Sequence, residues 1–104
     1  MNFKLKHLPE RTQKNRSHGL TMVMDKGLSL RQAEDLIDSA GDQVDIVKLG
    51  FGTSAFASNV KEKVKLYKKA NMSVYVGGTL FEALYVRNQV DDYKKYIDGL
   101  GLDT

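Results

Sequence analysis

The chain has 104 residues, 41% of them hydrophobic and 28% charged, an ordinary composition for one folded domain. Its 16 Lys and Arg against 13 Asp and Glu leave a formal charge of +3. That excess suits small anionic ligands and is too thin for the dense basic stripe of a nucleic-acid binder. The absence of cysteine excludes a disulfide framework, a thiolate nucleophile and Cys-ligated metal. Apolar runs of about five to seven residues fall far short of the roughly twenty needed to cross a bilayer. No membrane partner is therefore expected, and with no apolar signal core near Met1 a cytoplasmic location is the default expectation.

Residues 1–18, MNFKLKHLPERTQKNRSH, are polar and basic and contain the single proline, Pro9. They read as a basic arm, with Lys4, Lys6, Arg11, Lys14 and Arg16 either solvated or gathered for an anion. Arg16 is the member placed best for a specific task. From residue 19 onward the pattern becomes regular, and 19–104 reads as the folded domain.

The first strand is expected over residues 20–24. Ser29, with Gln32 three residues on, has the form of a capping box. Ala33, Leu36, Ile37 and Ala40 then follow at i, i+3, i+4 and i+7, the stripe of a helix lying on a sheet. Gly41 suits its C-terminal end. A second strand over 44–49 runs into Gly50-Phe51-Gly52-Thr53-Ser54, and a second helix is expected over 58–70. Val60, Val64 and Tyr67 lie on one face of that helix, and Lys61, Lys63, Lys65, Lys68 and Lys69 read as its solvated side. A third strand over 72–76 ends at Gly77-Gly78. Thr79 and Glu82 repeat the capping-box pattern at the head of a helix reaching about residue 88, and residues 91–99 continue as helix.

The strand starts are spaced by about 24 and then 28 residues, the period of βα units in a doubly wound sheet or a (β/α) barrel. Strands apolar along their length point to a parallel sheet covered on both faces. In such folds ligands meet the residues just past the strand C-termini. Here those positions hold Asp25, Lys26, Lys48, Thr53, Ser54, Thr79 and Glu82, a charged rim on an apolar body and a pattern for an enzyme. A complete (β/α)8 barrel takes about 250 residues, so three units imply part of a longer chain or assembly into a homo-oligomer.

The segments GLTMVMDKGL, DIVKLGFGTS and VYVGGTLFE, in that order between about Arg16 and Leu102, resemble the phosphosulfolactate synthase family of coenzyme M biosynthesis. The resemblance implies an α/β fold, about three βα units of a (β/α)8 TIM barrel, matching the N-terminal portion of the family. A VEVSDGS-like fourth strand would come next. It also implies a carbon–sulfur lyase that adds sulfite to phosphoenolpyruvate with Mg²⁺, giving 2-phospho-3-sulfolactate. Carried onto this sequence, Lys48, Lys26 and Asp25 are the expected catalytic residues. Gly77, Gly78, Thr79, Thr53 and Ser54 are the expected substrate-binding residues, and Glu82 and Asp25 the expected metal ligands.

Each has a bland counterpart. Asp25 and Lys26 suit a simple turn before Gly27, and Glu82 suits a helix start with no ligand. Asp45 is left out of the site because strand parity sets it opposite Lys48. Two other readings stand beside the lyase: another phosphate-handling barrel enzyme, and a non-catalytic, stress-associated binding protein.

Overall fold

The computed structural model describes residues 2–102. Three short parallel strands, β1 (Met22–Asp25), β2 (Ile46–Leu49) and β3 (Ser73–Val76), form one sheet in the order β1-β2-β3. Between and after them run α1 (Leu30–Ala40), a 3₁₀ turn (Gly41–Gln43), α2 (Phe51–Phe56), α3 (Val60–Lys69), α4 (Gly78–Tyr85) and α5 (Val90–Leu100). Neighbouring parallel strands joined through helices are the arrangement of successive units in a (β/α) barrel, so the α/β expectation holds. Each strand begins one or two residues later than its apolar run. At the start of the ladder the Thr21 carbonyl accepts the amides of both Asp45 and Ile46, and pairing becomes regular beyond it.

The strands run in step, with Met22 beside Ile46 beside Ser73, and Asp25 beside Leu49 beside Val76. Because side chains alternate along a strand, Val23, Asp25, Val47, Leu49, Val74 and Val76 share one face. That face meets the helices and joins Ala33, Val60, Val64, Tyr67 and Leu80 in the core. The other face carries Met22, Met24, Lys48 and Tyr75. Covering on both faces is thus not what the described residues show, since Met22 and Met24 are 50% and 45% exposed. The apolar pattern of the strands is the pattern of a barrel interior, and no element among the described residues lies over it.

Local signals explain most boundaries. Ser29 caps α1 as read, its Oγ accepting from the Gln32 amide at 3.1 Å while Gln32 Oε1 accepts the Ser29 amide at 2.9 Å. The Thr79–Glu82 box does not form. Gly77 is the N-cap of α4 and makes no side-chain cap, which places Thr79 and Glu82 inside the first turns with both side chains exposed. The run Gly50–Ser54, ahead of the helix expected over 58–70, winds into a short helix of its own, α2, with Gly50 as its N-cap.

The basic arm is tied down at the N-terminal ends of the strands. Arg16 reaches Asp45 Oδ1 at 2.5 Å and the carbonyls of Thr12 and Asp42 at 2.8 Å each. Lys14 Nζ donates to the carbonyls of Ala70 and Asn71, and Arg11 to Thr21 Oγ1 and the Gln43 carbonyl. Asp45 also accepts the Thr21 amide, and that bond, opposed by burial and aided by Arg16, holds its carboxyl below the ordinary range. Three arm cations are thus spent on holding the chain in place, at the end of the sheet opposite the strand C-termini. The cleft of about 400 Å³ beside them is lined by Lys14, Arg16, Asp45 and Lys68, and all four are already bonded within the chain.

Candidate functional site

At the C-terminal ends of the strands the structure divides the expected site residues between two faces of the sheet. Lys48 and Asp25 lie on opposite faces, because Lys48 pairs in register with Met24 and Tyr75 whereas Asp25 pairs with Leu49.

Lys48 stands on the uncovered face, and its stem crosses the head of α4. A β-carbon built on Gly77 would fall 2.8 Å from Lys48 Cε and 3.7 Å from its Nζ. Glycine at 77 therefore leaves room for the lysine. The ammonium thus lies near Gly77, the N-cap of α4, a helix with no acidic residue in its first turn. A helix N-terminus carries partial positive charge, so cation and helix end repel one another until an anion comes between them. Among the described residues the ion pairs are Arg16–Asp45 and Lys63–Asp25, so neither Lys48 nor Lys26 has a carboxylate partner. Gly78 has open space around it, and Thr79 beside it is exposed.

Lys26 lies across the rim, in an open cleft of about 530 Å³ that it lines with Met24, Gly27, Phe51, Thr53 and Phe56. Thr53 is 4% exposed, and its Oγ1 is the buried side-chain atom without a hydrogen-bond partner among the described residues. It sits near Gly27 and Gly50, 3.8 Å and 3.9 Å from where their β-carbons would be. Ser54 is not available to a ligand. It is buried, its Oγ donates to the Phe51 carbonyl at 3.1 Å, and its own carbonyl takes the Tyr96 hydroxyl. The short α2 turns this serine inward, away from the anion-binding role expected of it.

Asp25 requires the larger correction. Its carboxylate is 1% exposed and fully engaged: Oδ1 accepts the amides of Gly27 and Leu28 at 2.9 and 2.8 Å. Oδ2 accepts Lys63 Nζ and the Tyr67 hydroxyl, each at 2.8 Å. Burial pushes the carboxyl up, but Lys63, the two amides and Tyr67 together outweigh it and hold it below its ordinary value. Burial first, and then the neighbouring carboxylate, push the Tyr67 hydroxyl well above its ordinary value. A carboxylate with four donors on the helix-covered face has no oxygen to offer a cation or a substrate, so the expected metal-ligand and catalytic roles do not fit it.

Lys63 is the residue the sequence reading missed. It is 0% exposed, with Nζ also donating to the Leu28 carbonyl at 2.8 Å. The signal was present. Val60, Lys63, Val64 and Tyr67 stand at i, i+3, i+4 and i+7, so Lys63 falls inside the apolar stripe of α3 while Lys61, Lys65, Lys68 and Lys69 face outward.

Glu82 leaves an exposed carboxylate one turn beyond the head of α4. Mg²⁺ often takes one or two carboxylates and fills its shell with water and substrate. Glu82 fits that pattern and Asp25 does not; no cluster of three metal-ligating side chains occurs among the described residues.

Three parallel strands in the order β1-β2-β3, joined through helices, are the arrangement of part of a (β/α) barrel. Residues 9–104 match the family model of (2R)-phospho-3-sulfolactate synthase (ComA), and the chain belongs to that family. It is 40% identical over 98 residues to a phosphosulfolactate synthase of Methanothermobacter thermautotrophicus, covering 92% of this chain and 38% of that protein. Against the Methanocaldococcus jannaschii phosphosulfolactate synthase it is 44% identical over 88 residues, covering 83% of this chain and 35% of the relative. The Bacillus subtilis protein of the same name is 34% identical over 96 residues, covering 92% of this chain and 38% of its own length. The chain thus spans little more than a third of the relatives it matches.

Proposed function

We propose that this chain supplies the Lys48 side of a site that adds sulfite to phosphoenolpyruvate, giving 2-phospho-3-sulfolactate, the lyase chemistry of coenzyme M biosynthesis. The observation that carries the proposal is the Lys48 ammonium, without a carboxylate partner among the described residues, laid over Gly77 at the head of α4 on the uncovered face of the sheet.

The chemistry needs such a place. The sulfur lone pair of sulfite forms the C–S bond at the methylene carbon of phosphoenolpyruvate, and the π electrons move into the carboxylate. The resulting aci-carboxylate carries an extra negative charge until a proton arrives at the neighbouring carbon. Fixed cations and amides facing the developing charge stabilise it without reorganising. Lys48 and the Gly78 and Thr79 amides are suited to that oxyanion, and Lys26 across the rim to a second anion, sulfite or phosphate. Either ammonium is able to deliver the proton. Mg²⁺, where bound, would polarise the carboxylate, with Glu82 as the ligand this chain offers. The substrates are small anions and the setting proposed is the cytoplasm. The remainder of the site would come from a longer chain or from another copy.

The test is sulfite-dependent loss of phosphoenolpyruvate, with Mg²⁺ and with chelator, on this chain and on a form extended to the relatives' length. Lys48→Ala in the active form is expected to lower turnover by about 10²-fold or more with folding kept. Undiminished turnover would remove Lys48 from the mechanism.

A further inference from the structure

The Asp25–Lys63–Tyr67 cluster makes no contact with the uncovered face, yet it is the most heavily bonded group in the described chain. Burying a carboxylate and an ammonium together is expensive, and apolar side chains of similar size often do as well or better for stability. A Leu or Met at 63 would simply complete the stripe of α3. The geometry shows what the charges achieve that apolar groups would not. All five bonds end on the strand end before Lys26 or on the two residues that follow it. The Gly27 and Leu28 amides converge on Asp25 Oδ1, and Lys63 takes both Asp25 Oδ2 and the Leu28 carbonyl. Residues 25, 27 and 28 are thereby pinned around Lys26. Gly27 completes the turn at φ +128°, a conformation few side chains adopt. Two residues later the Ser29 cap locks the start of α1.

We propose that the buried Asp25–Lys63–Tyr67 cluster is a positioning device: it fixes the turn between β1 and α1 so that Lys26 presents its ammonium to an oxyanion in the rim cleft. This rests on the reading of that rim as the substrate site. Asp25, Lys63 and Tyr67 are then positioning residues, acting through Lys26 and touching no substrate. The cleft lined by Lys26 and Thr53 takes a small tetrahedral or pyramidal oxyanion, of which sulfite is the proposed member.

The experiment replaces the whole cluster with apolar groups, D25L/K63M/Y67F, so that no buried charge is left unpaired. Three quantities are read on the 104-residue chain: the urea midpoint, amide exchange at Gly27 and Leu28, and inorganic sulfite affinity from the Lys26 amide shift. The expected result is a midpoint near that of the parent, lost protection at both amides, and sulfite affinity down to that of Lys26→Ala. Misplacing a charged group by about 1 Å is enough for changes of order 10²-fold. Adding Lys26→Ala to the triple variant should then cost little more, because both act through one ammonium. A purely structural cluster would move the midpoint and leave sulfite affinity alone, or give additive losses; either result overturns the proposal. If the triple variant fails to fold, Tyr67→Phe removes one bond to Asp25 and is read in the same way, with unchanged exchange at Gly27 and Leu28 as the overturning result. A parent chain that binds no sulfite would defeat the substrate reading, and amide exchange alone would then decide whether the cluster holds the turn.

Discussion

Gly77→Ala separates the fold from the proposed chemistry more cleanly than removal of a charge. Gly77 has φ −74° and ψ 163°, a backbone that alanine adopts without strain. The new methyl would lie 2.8 Å from Lys48 Cε, closer than carbon atoms approach, and the atom it meets is near the end of a flexible stem. The lysine therefore swings away and the backbone stays. The stability cost has two parts. Alanine is a poorer N-cap than glycine by roughly 0.5–1 kcal/mol, and the displaced lysine adds an off-rotamer penalty of about 1 kcal/mol at most. A total of about 0.5–2 kcal/mol leaves a domain of about 5–15 kcal/mol folded. The ammonium, however, no longer stands over the head of α4. Loss of that oxyanion contact is expected to lower turnover by about 10²-fold, with the urea midpoint only slightly reduced. The assays are a urea titration and sulfite-dependent loss of phosphoenolpyruvate in the active form. Parent-level turnover in a folded Gly77→Ala protein would refute the placement of Lys48 at the site.

Lys63→Met alone should behave unlike the apolar triple variant, because it strands the Asp25 carboxylate in the core. A loss of about 3–5 kcal/mol in urea unfolding is expected, and a loss under about 1 kcal/mol would show that the buried pair is not formed. Acid titration reads the same carboxylate. Its folded pKa is lowered, so near and below the unfolded value of about 3.9 the unfolded chain binds more protons and stability falls with pH. The contribution is fully present above about pH 5, and Asp25→Asn should be less stable there but flatter below; an equally steep acid limb in that variant would assign the proton uptake elsewhere. Glu82→Gln should leave the urea midpoint within about 0.5 kcal/mol, since the side chain caps nothing. It should raise the Mg²⁺ concentration needed for half-maximal turnover, and an unchanged Mg²⁺ requirement would remove Glu82 as a ligand.

Periodicity carried the architecture. Short apolar runs for the strands, the i, i+3, i+4 stripes and the repeated βα spacing depend on neighbours in sequence, and the order of elements follows from them. The Ser29–Gln32 cap was legible for the same reason, being closed within one turn. The Thr79–Glu82 pair has the same spacing, but Gly77 starts α4 two residues earlier, and a spacing rule does not say which residue is the cap. Ser54 was misplaced because a glycine-rich run has weak local preference, and docking on the sheet decided that it would wind into α2.

The sequence by itself determined that three parallel strands lead into helices, that a cationic rim lies beyond their C-termini, and to which family the motifs belong. Only the tertiary structure decided which rim residues share a face. Asp25 ends β1 and Lys48 stands one residue before the end of β2, and register turns one into the core and the other to the open side. Nothing local distinguishes Lys63 from the four exposed lysines around it, apart from its place in an apolar stripe. Its partner stands 38 residues away in sequence, and only when α3 packs on the sheet does a buried carboxylate require a buried ammonium. A charge in a low-dielectric interior is stable only with its counter-charge at hand, and that pairing is a property of the packed fold.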